Sequence, residues 1–388
     1  MTIRNQHGFT YLWLILMVVL LIGGAFYIKV SNSSTPLPSK INNLNSSVNL
    51  PNIIYYTHVL SWQAGDQVVH VYSYNPYTKN SKELFSIPTS KTVNLSRISM
   101  SPDKTKIVYS IYQDTPEKTR QLFSIDSNGS NQKLILSESR PNGHIFDNLI
   151  WSPDSKELLF DKQEYFPYNV YKYSFETGKI ITINPGNIAP LTGWFTNNKL
   201  GFKQSKPTGC TAEQECYPAF KLFQTDLDGK NLKQVFDQVD NDIGVSYDWL
   251  PDGSGVILSG SSIKSVLPSH YDFSLKTAQQ IKTNTDTGII QGILFHEDIS
   301  LMLVREGSQS VIYKVNLANN EPTVIKSFNE SIWLDAISKD GKYFLIHYGN
   351  TDQGIAIQKN PEIYDMQGNL VDQLPFYPNN IEFLGFSQ

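Results

Sequence analysis

The stretch NLIWSPDSKELLFD, Asn148–Asp161, followed by VYKYSFETGKIITI, Val170–Ile183, decides the fold. Apolar and polar residues partly alternate on either side of two turn signals, the period of half-buried strands. The first signal is Ser-Pro-Asp. Pro153 pre-sets φ, Asp154 can accept hydrogen bonds from nearby backbone, and a small residue follows. The second is Glu-Thr-Gly, where Gly178 supplies a positive φ at little cost. Strand, turn, strand, longer loop, strand, turn, strand makes one four-stranded unit.

The unit recurs. LSRISMSPDKTKIVYS, Leu95–Ser110, followed by QLFSIDSNGSNQKLI, Gln121–Ile135, is a second clear copy, with Gly129 in its second turn. Weaker copies are Thr192–Phe202, Tyr247–Ser259, Ile293–Val304 and Leu334–His347, and Gly229 lies in another second turn, DLDG. The first turns begin at Ser101, Ser152, Phe195, Leu250, His296 and Ser338, at spacings of 51, 43, 55, 46 and 42. A period of about 40–45 residues per four strands is that of a propeller blade. The longer intervals hold insertions at Gln113–Arg120 and Thr208–Tyr217, the second within the segment Ser205–Pro218, SKPTGCTAEQECYP.

The two ends complete the count. Pro51–Ile87 predicts three strands, Ile53–Thr57, Val68–Tyr74 and Glu83–Ile87, and lacks the strand that precedes the first turn. IEFLGFSQ, Ile381–Gln388, matches the missing strand and stops where the turn begins. Residues 381–388 are therefore expected to close the first blade, which removes two open edges. The count is then seven; six or eight remain compatible with the weak copies.

Ahead of the repeats, Phe9–Ile28 reads FTYLWLILMVVLLIGGAFYI, 20 residues with no charge. At about 1.5 Å per residue they span a hydrocarbon core of about 30 Å. Tyr11, Trp13 and Tyr27 lie near its ends, where rings favour the interface. The apolar run is longer than the 7–15 residues of a signal peptide core, so an uncleaved anchor is expected. The charge bias of the flanks is small; the short N-terminal tail and the cysteine pair favour a propeller outside the cytoplasm. Residues 29–50, rich in Ser, Asn and Pro, read as a flexible tether.

Cys210 and Cys216 are the only cysteines, and five intervening residues can close a loop disulfide. Such bonds persist in oxidising compartments. Free thiols are the alternative; the spacing suits no zinc knuckle. The seven histidines are scattered, and no HExxH, nucleophile elbow, P-loop or dinucleotide fingerprint occurs. No catalytic residue, metal ligand or cofactor is expected from these motifs. Asp103, Asp154, Asp252 and Asp340 recur at one place in the repeat, and Asp298 falls there too. A catalytic group is needed once, so this recurrence argues for a structural role in the blade turns. The insertions are better binding candidates, because loops on a rigid scaffold carry function. In QEYFPYN, Gln163–Asn169, the rings of Tyr165, Phe166 and Tyr168 are candidate partner anchors or covers for a blade edge.

Composition excludes little but is consistent. The 388 residues carry a net charge of -4, with 18% charged and 12% aromatic residues. An average domain has about 25% charged residues. Lys and Arg total 32 against 36 acids, with no dense basic stretch, so a nucleic-acid partner is not expected.

Two resemblances add to this reading. The repeats resemble the WD40-like repeats of TolB-type propellers, whose signature is W-S-P-D-G, an apolar strand, then L-Y-x-x-D-x-x-G. Trp151, Ser152, Pro153 and Asp154 match it, as do Trp249, Pro251, Asp252 and Gly253, and Leu122, Phe123, Asp126 and Gly129 match the later half. The resemblance implies the fold over most of 51–388; such propellers serve as scaffolds, binding proteins and some enzymes. HGFTYLWLILMVVLLIGG resembles the start of type IV prepilins, which implies cleavage by a prepilin peptidase between Gly8 and Phe9 and a role in pilus-like machinery. Trp13 stands where most members carry Glu, which puts filament assembly in question.

The sequence thus predicts an all-β, seven-bladed propeller of four-stranded antiparallel blades at 51–388. One transmembrane helix at 9–28 precedes it, after a leader or cytoplasmic tail at 1–8. The expected role is an extracytoplasmic binding or scaffold protein of a bacterial cytoplasmic membrane. It contacts lipid through 9–28 and a protein or envelope polymer through its loops. A minor component of a pilus-like or secretion system, and a propeller enzyme acting on peptides or sugars, are the alternatives.

Overall fold

The computed structural model describes residues 50–57, 67–90, 93–114, 118–139, 146–162, 169–184, 190–205, 220–237, 245–260, 268–284, 289–297, 299–349, 359–375 and 381–387. They form seven four-stranded antiparallel sheets, a seven-bladed propeller. We number the blades 1 to 7 along the chain. The inner strands are Ile381–Phe386, Val93–Met100, Phe146–Trp151, Leu191–Trp194, Val245–Trp249, Ile289–His296 and Ile332–Ile337. Neighbouring blades touch through these strands, among them blades 6 and 7, 7 and 1, and 1 and 2. In blade 1 the inner strand is the last of the chain. It pairs antiparallel with Ile53–Thr57, so the C-terminus closes the ring.

The chain runs up and down within each blade. The first-to-second and third-to-fourth strand connections therefore lie at one end, and the remaining connections at the other. We call them the turn end and the loop end. The sequence insertions fall between the second and third strands of blades 2, 3 and 4, that is between Lys106–Gln113 and Thr119–Asp126, Glu157–Lys162 and Val170–Ser174, and Lys199–Ser205 and Phe220–Asp226; residues 115–117, 163–168 and 206–219 lie outside the described residues.

The turn end is built by one repeated device. In five blades a turn closes from Ser101, Ser152, Phe195, Leu250 or Ser338, whose carbonyl accepts from the backbone N–H three residues on. That donor is Lys104, Ser155, Asn198, Gly253 or Gly341, each with φ between 61° and 70°. Asp103 accepts from Ser101 Oγ (2.6 Å) and the Thr105 N–H (3.0 Å). Asp154 and Asp340 bond in the same way to Ser152 and Lys156, and to Ser338 and Lys342. Asp252 accepts from Ser254 instead. Blade 6 departs from the expected four-residue turn. His296 pairs directly with Ile299, which leaves a two-residue hairpin, and Asp298 lies outside the described residues.

The second set of turns needs glycine for two reasons. Gly129, Gly229 and Gly368 have φ of 87°, 80° and 81°. Each also sits against the outer strand, or its end, in the preceding blade. A Cβ on Gly129 would lie 2.0 Å from the Leu84 carbonyl oxygen, and one on Gly368 would lie 2.4 Å from that of Ile325. The turn glycines therefore set how closely blades stack.

Among the described residues, six clusters of buried apolar side chains fill the successive junctions from blades 1 and 2 to blades 6 and 7. Leu303, Ile312 and Phe328 of blade 6, for example, pack with Ile332, Phe344 and Ile346 of blade 7. No helix among the described residues is long and apolar enough to cross a membrane. Residues 9–28, with Gly8 and Phe9 at the prepilin-like junction, lie outside the described residues, as does the 29–49 part of the expected linker.

Candidate functional site: the junction of blades 7 and 1

The seventh junction, where the chain closes, carries a row of rings. Trp333 stacks on His347, with centroids 6.3 Å apart and planes at 16°. Next to His347 is Phe383 (6.3 Å), then Tyr55 (6.4 Å), Tyr72 (5.3 Å) and His70 (6.0 Å). The row begins on blade 7 and ends on blade 1. His70 finishes it with a contact to Glu83 at 3.1 Å.

Local backbone places the first members. Trp333 and His347 are cross-strand partners, so their side chains share one face of the sheet. Between Leu334 and Ala336 the register shifts, leaving Asp335 as a β-bulge residue. Bulges re-aim side chains, and here the Asp335 carboxylate reaches His347 Nδ1 at 2.8 and 2.9 Å. The ring is thereby fixed in orientation. Burial pushes the Asp335 carboxyl above the usual carboxylate range, and the His347 contact opposes this shift. Trp333 is 52% exposed. Its indole nitrogen lies beside Gly349, where a Cβ would come within 2.9 Å of it. The backbone at Gly349 must therefore stay bare for the indole to lie there.

Inner-strand bulges occur in six of the seven blades. The residues they leave unpaired are Leu384, Ser96, Asn148 with Leu149, Thr192, Gln291 and Asp335. Asp335 alone among them is ionisable. Asn148 donates to the buried Asp161 at 2.6 Å, and Thr192 accepts from Trp249 Nε1 at 3.0 Å. Those two bonds tie the framework together, whereas Asp335 orients a ring that stacks on an exposed one.

Further acids flank the closure. Tyr56 donates a hydrogen bond to Glu382, and Arg97 of blade 2 lies close enough to act on the phenol electrostatically. On the other face of blade 7, Glu362 accepts from Tyr348 (2.7 Å) and Tyr364 (2.5 Å), and Lys359 sits over the Tyr348 ring at 4.9 Å. Lower in the junction, Lys79 pairs with the buried Asp372. Among the described residues no group of three or more His, Cys, Asp or Glu side chains is placed to hold a metal ion.

The residues singled out in the sequence lie elsewhere. Asp103, Asp154, Asp252 and Asp340 are at the turn end, in their turns. Tyr165, Phe166 and Tyr168, and Cys210 and Cys216, are outside the described residues. The sequence reading counted His347 among scattered histidines and missed Trp333 and Asp335. One signal was available. Three residues before the turns stand Ile98, Leu149, Thr192, Tyr247, Ile293 and Asp335, so the last copy places an acid in a mostly apolar column.

Comparison with known proteins places the fold. The β-propeller domain of the Trilobed protease from Pyrococcus furiosus overlays with a TM-score of 0.58 at 16% identity, over 85% of this chain and 96% of that one. That domain is described as having an open velcro topology, whereas here Ile381–Phe386 pairs with Ile53–Thr57. Oligogalacturonate lyase from Vibrio parahaemolyticus overlays at 0.52 with 12% identity, over 84% of this chain and 87% of that one. TolB from Acinetobacter baumannii overlays at 0.42 with 16% identity, over 91% of this chain and 89% of that one. At these identities the likenesses show the fold alone. No family model matches the chain, and no curated protein matches it in sequence.

Proposed function

We infer that the protein is a binding module displayed on the outer side of a bacterial cytoplasmic membrane. Residues 9–28 anchor it, and the junction of blades 7 and 1 holds a protein or an envelope polymer. One observation carries this reading: a half-exposed Trp333 on a rigid strand, stacked on an imidazole that Asp335 orients. Exposed aromatic anchors with ordered polar neighbours are what binding hot spots are made of. The test uses the full-length chain in its membrane. A photoreactive side chain at position 333 should trap a partner, and one at Leu275, exposed in a turn of blade 5, should not. Trp333→Ala should weaken that partner's binding at least tenfold. The same products from both positions would sink the reading.

A second reading, an enzyme acting on peptides or sugars, is favoured by the Asp335–His347 pair. A carboxylate that orients an imidazole is the base-and-orienter arrangement of acid–base catalysis. It predicts turnover of the trapped ligand that His347→Ala abolishes, where the binding reading predicts only a change in affinity.

A further inference from the structure

The turn end holds a residue that its own turn does not favour. Five turns put their fourth residue in the left-handed region, where a side chain costs energy and glycine or asparagine is at ease. Blades 3, 4, 5 and 7 supply Ser155, Asn198, Gly253 and Gly341. Blade 2 supplies Lys104, with φ 64°. Ser155, Lys79 and Lys276 share this backbone strain, so what sets Lys104 apart is where its side chain goes.

The Lys104 side chain reaches across to the ring of inner strands. Its Nζ lies 3.7 Å from the point where a side chain on Gly385 would begin, beside Met100 Cε (3.5 Å) and Ala336 Cβ (3.7 Å) from the same point. The ammonium thus lies against the inner strand of blade 1 at Gly385, a position whose missing side chain leaves room for it. Lys104 is half-buried, and burial lowers its proton affinity. Lys339, from the turn of blade 7, lies near enough to lower it further, while Asp103 opposes. Asp103 is already bonded to Ser101 and Thr105. No carboxylate among the described residues forms an ion pair with Lys104.

A cleft of about 440 Å³ is lined by Lys104 together with Thr105, Asp126, Ser127, Asn128 and Ser387; Ser387 lies two residues beyond Gly385, the residue that Lys104 Nζ approaches. Its one acid is neutralised, since Asp126 is held by Lys106 (2.7 Å) and Asn131 (2.7 Å). A neighbouring cleft of about 400 Å³ shares Ser127, Asn128 and Ser387 and adds Asn52, Asn80 and Lys82. The lining thus combines a lysine that forms no ion pair among the described residues with hydroxyl and amide groups. Ammonium groups pair with oxyanions, and hydroxyls and amides both donate to and accept from sugar hydroxyls.

We propose that the turn-end cleft between blades 1 and 2 binds an acidic sugar, with Lys104 pairing its carboxylate or phosphate and the Ser, Thr and Asn side chains engaging its hydroxyls. This site is separate from the junction of blades 7 and 1 and stands whether or not that junction binds a partner. The full-length chain in detergent micelles is titrated calorimetrically with glucuronate, glucose 6-phosphate, glucose and inorganic phosphate. One or both acidic sugars should bind, more weakly as salt rises, and glucose should not. The stronger acidic sugar identifies the oxyanion. Lys104→Met should weaken that binding at least tenfold. Lys104→Gly suits the left-handed turn, so it should keep or raise Tm while losing the binding, which separates a lost site from a lost fold. Trp333→Ala should leave the affinity unchanged. Unchanged affinity in Lys104→Met, binding of glucose as tight as that of the acidic sugars, inorganic phosphate binding as tightly as glucose 6-phosphate, or no binding of either acidic sugar would each overturn the proposal.

Discussion

Trp151 and Trp333 sit on inner strands at opposite ends of the propeller. Trp151 ends its strand at the turn end, is 7% exposed, and stacks on Phe175 at 5.0 Å. Trp194 and Trp249 occupy the matching place in the next two blades. Trp333 starts its strand at the loop end, is 52% exposed, and has no counterpart in the other copies. The aspartates show the same contrast. Those of the turns recur and bond to their own turn, while Asp335 occurs once and orients His347. A residue that repeats with the blades is part of the framework. A residue that breaks the repeat at an exposed place is where function is to be sought.

The two tryptophans give the widest test of that contrast. Burial of a large aromatic side chain makes its loss to alanine cost about 3–5 kcal/mol. Trp151→Ala is expected in that range by urea unfolding. Trp333→Ala should cost about 1 kcal/mol at most, as for an exposed position. Similar losses would mean that Trp333 belongs to the framework, and the division between the ends would fail.

Glycines at the two ends sharpen it. Gly129, at the turn end, combines a φ of 87° with a backbone oxygen 2.0 Å from any added Cβ. Gly307, at the loop end of blade 6, has a φ of 60° with nothing within 4 Å. Gly307→Ala should therefore cost only the left-handed backbone term, about 1–2 kcal/mol. Gly129→Ala must also push blade 1 away and should cost about 2 kcal/mol more. Equal unfolding midpoints for the two variants would show that the blades are not held at the spacing described here.

Much of the fold was legible because its instructions are local and repeated. SPDS and SPDK place a turn whatever surrounds them, and the alternation beside them yields the strands. Seven blades followed from reading IEFLGFSQ as the strand that 51–87 lacks. The close approach of Gly129 to Leu84 was invisible, since positive φ alone explains a turn glycine. The junction site was harder still. The row from Trp333 and His347 continues through Phe383 to Tyr55 and Tyr72 only because the ring closes, which brings Phe383 against Tyr55 from the far end of the chain. A bulge at Asp335 is likewise silent in the alternation of LDAISKDG, so nothing pointed that carboxylate at His347. The reading favoured long loops as binding surfaces and passed over a side chain on a strand.

The smallest expected effect is one of sign, and it divides the recurring aspartates from the single one. Burial raises the affinity of Asp103 for its proton, but hydrogen bonds from Ser101 and Thr105 outweigh it and leave the carboxyl below the usual range. Burial dominates at Asp335, which sits above that range despite His347. A depressed carboxyl contributes stability above its unfolded pKa of about 4, and loses it as pH falls through the folded value. A raised one does the opposite: its contribution is present below the unfolded value and is lost as pH rises through the folded one. Asp103→Asn should then be less stable than the parent at pH 7, by about 0.5–1 kcal/mol as for one or two exposed hydrogen bonds. That deficit should shrink as the medium is acidified below pH 4. Asp335→Asn keeps an acceptor for His347 and removes the buried charge. It should be at least as stable as the parent at pH 7, and its advantage should narrow on acidification. Urea unfolding of the three proteins between pH 3 and 7 reads both trends. Parallel trends for the two variants would mean that Asp335 is held as the turn aspartates are, and the distinction between framework and site would lose its electrostatic support.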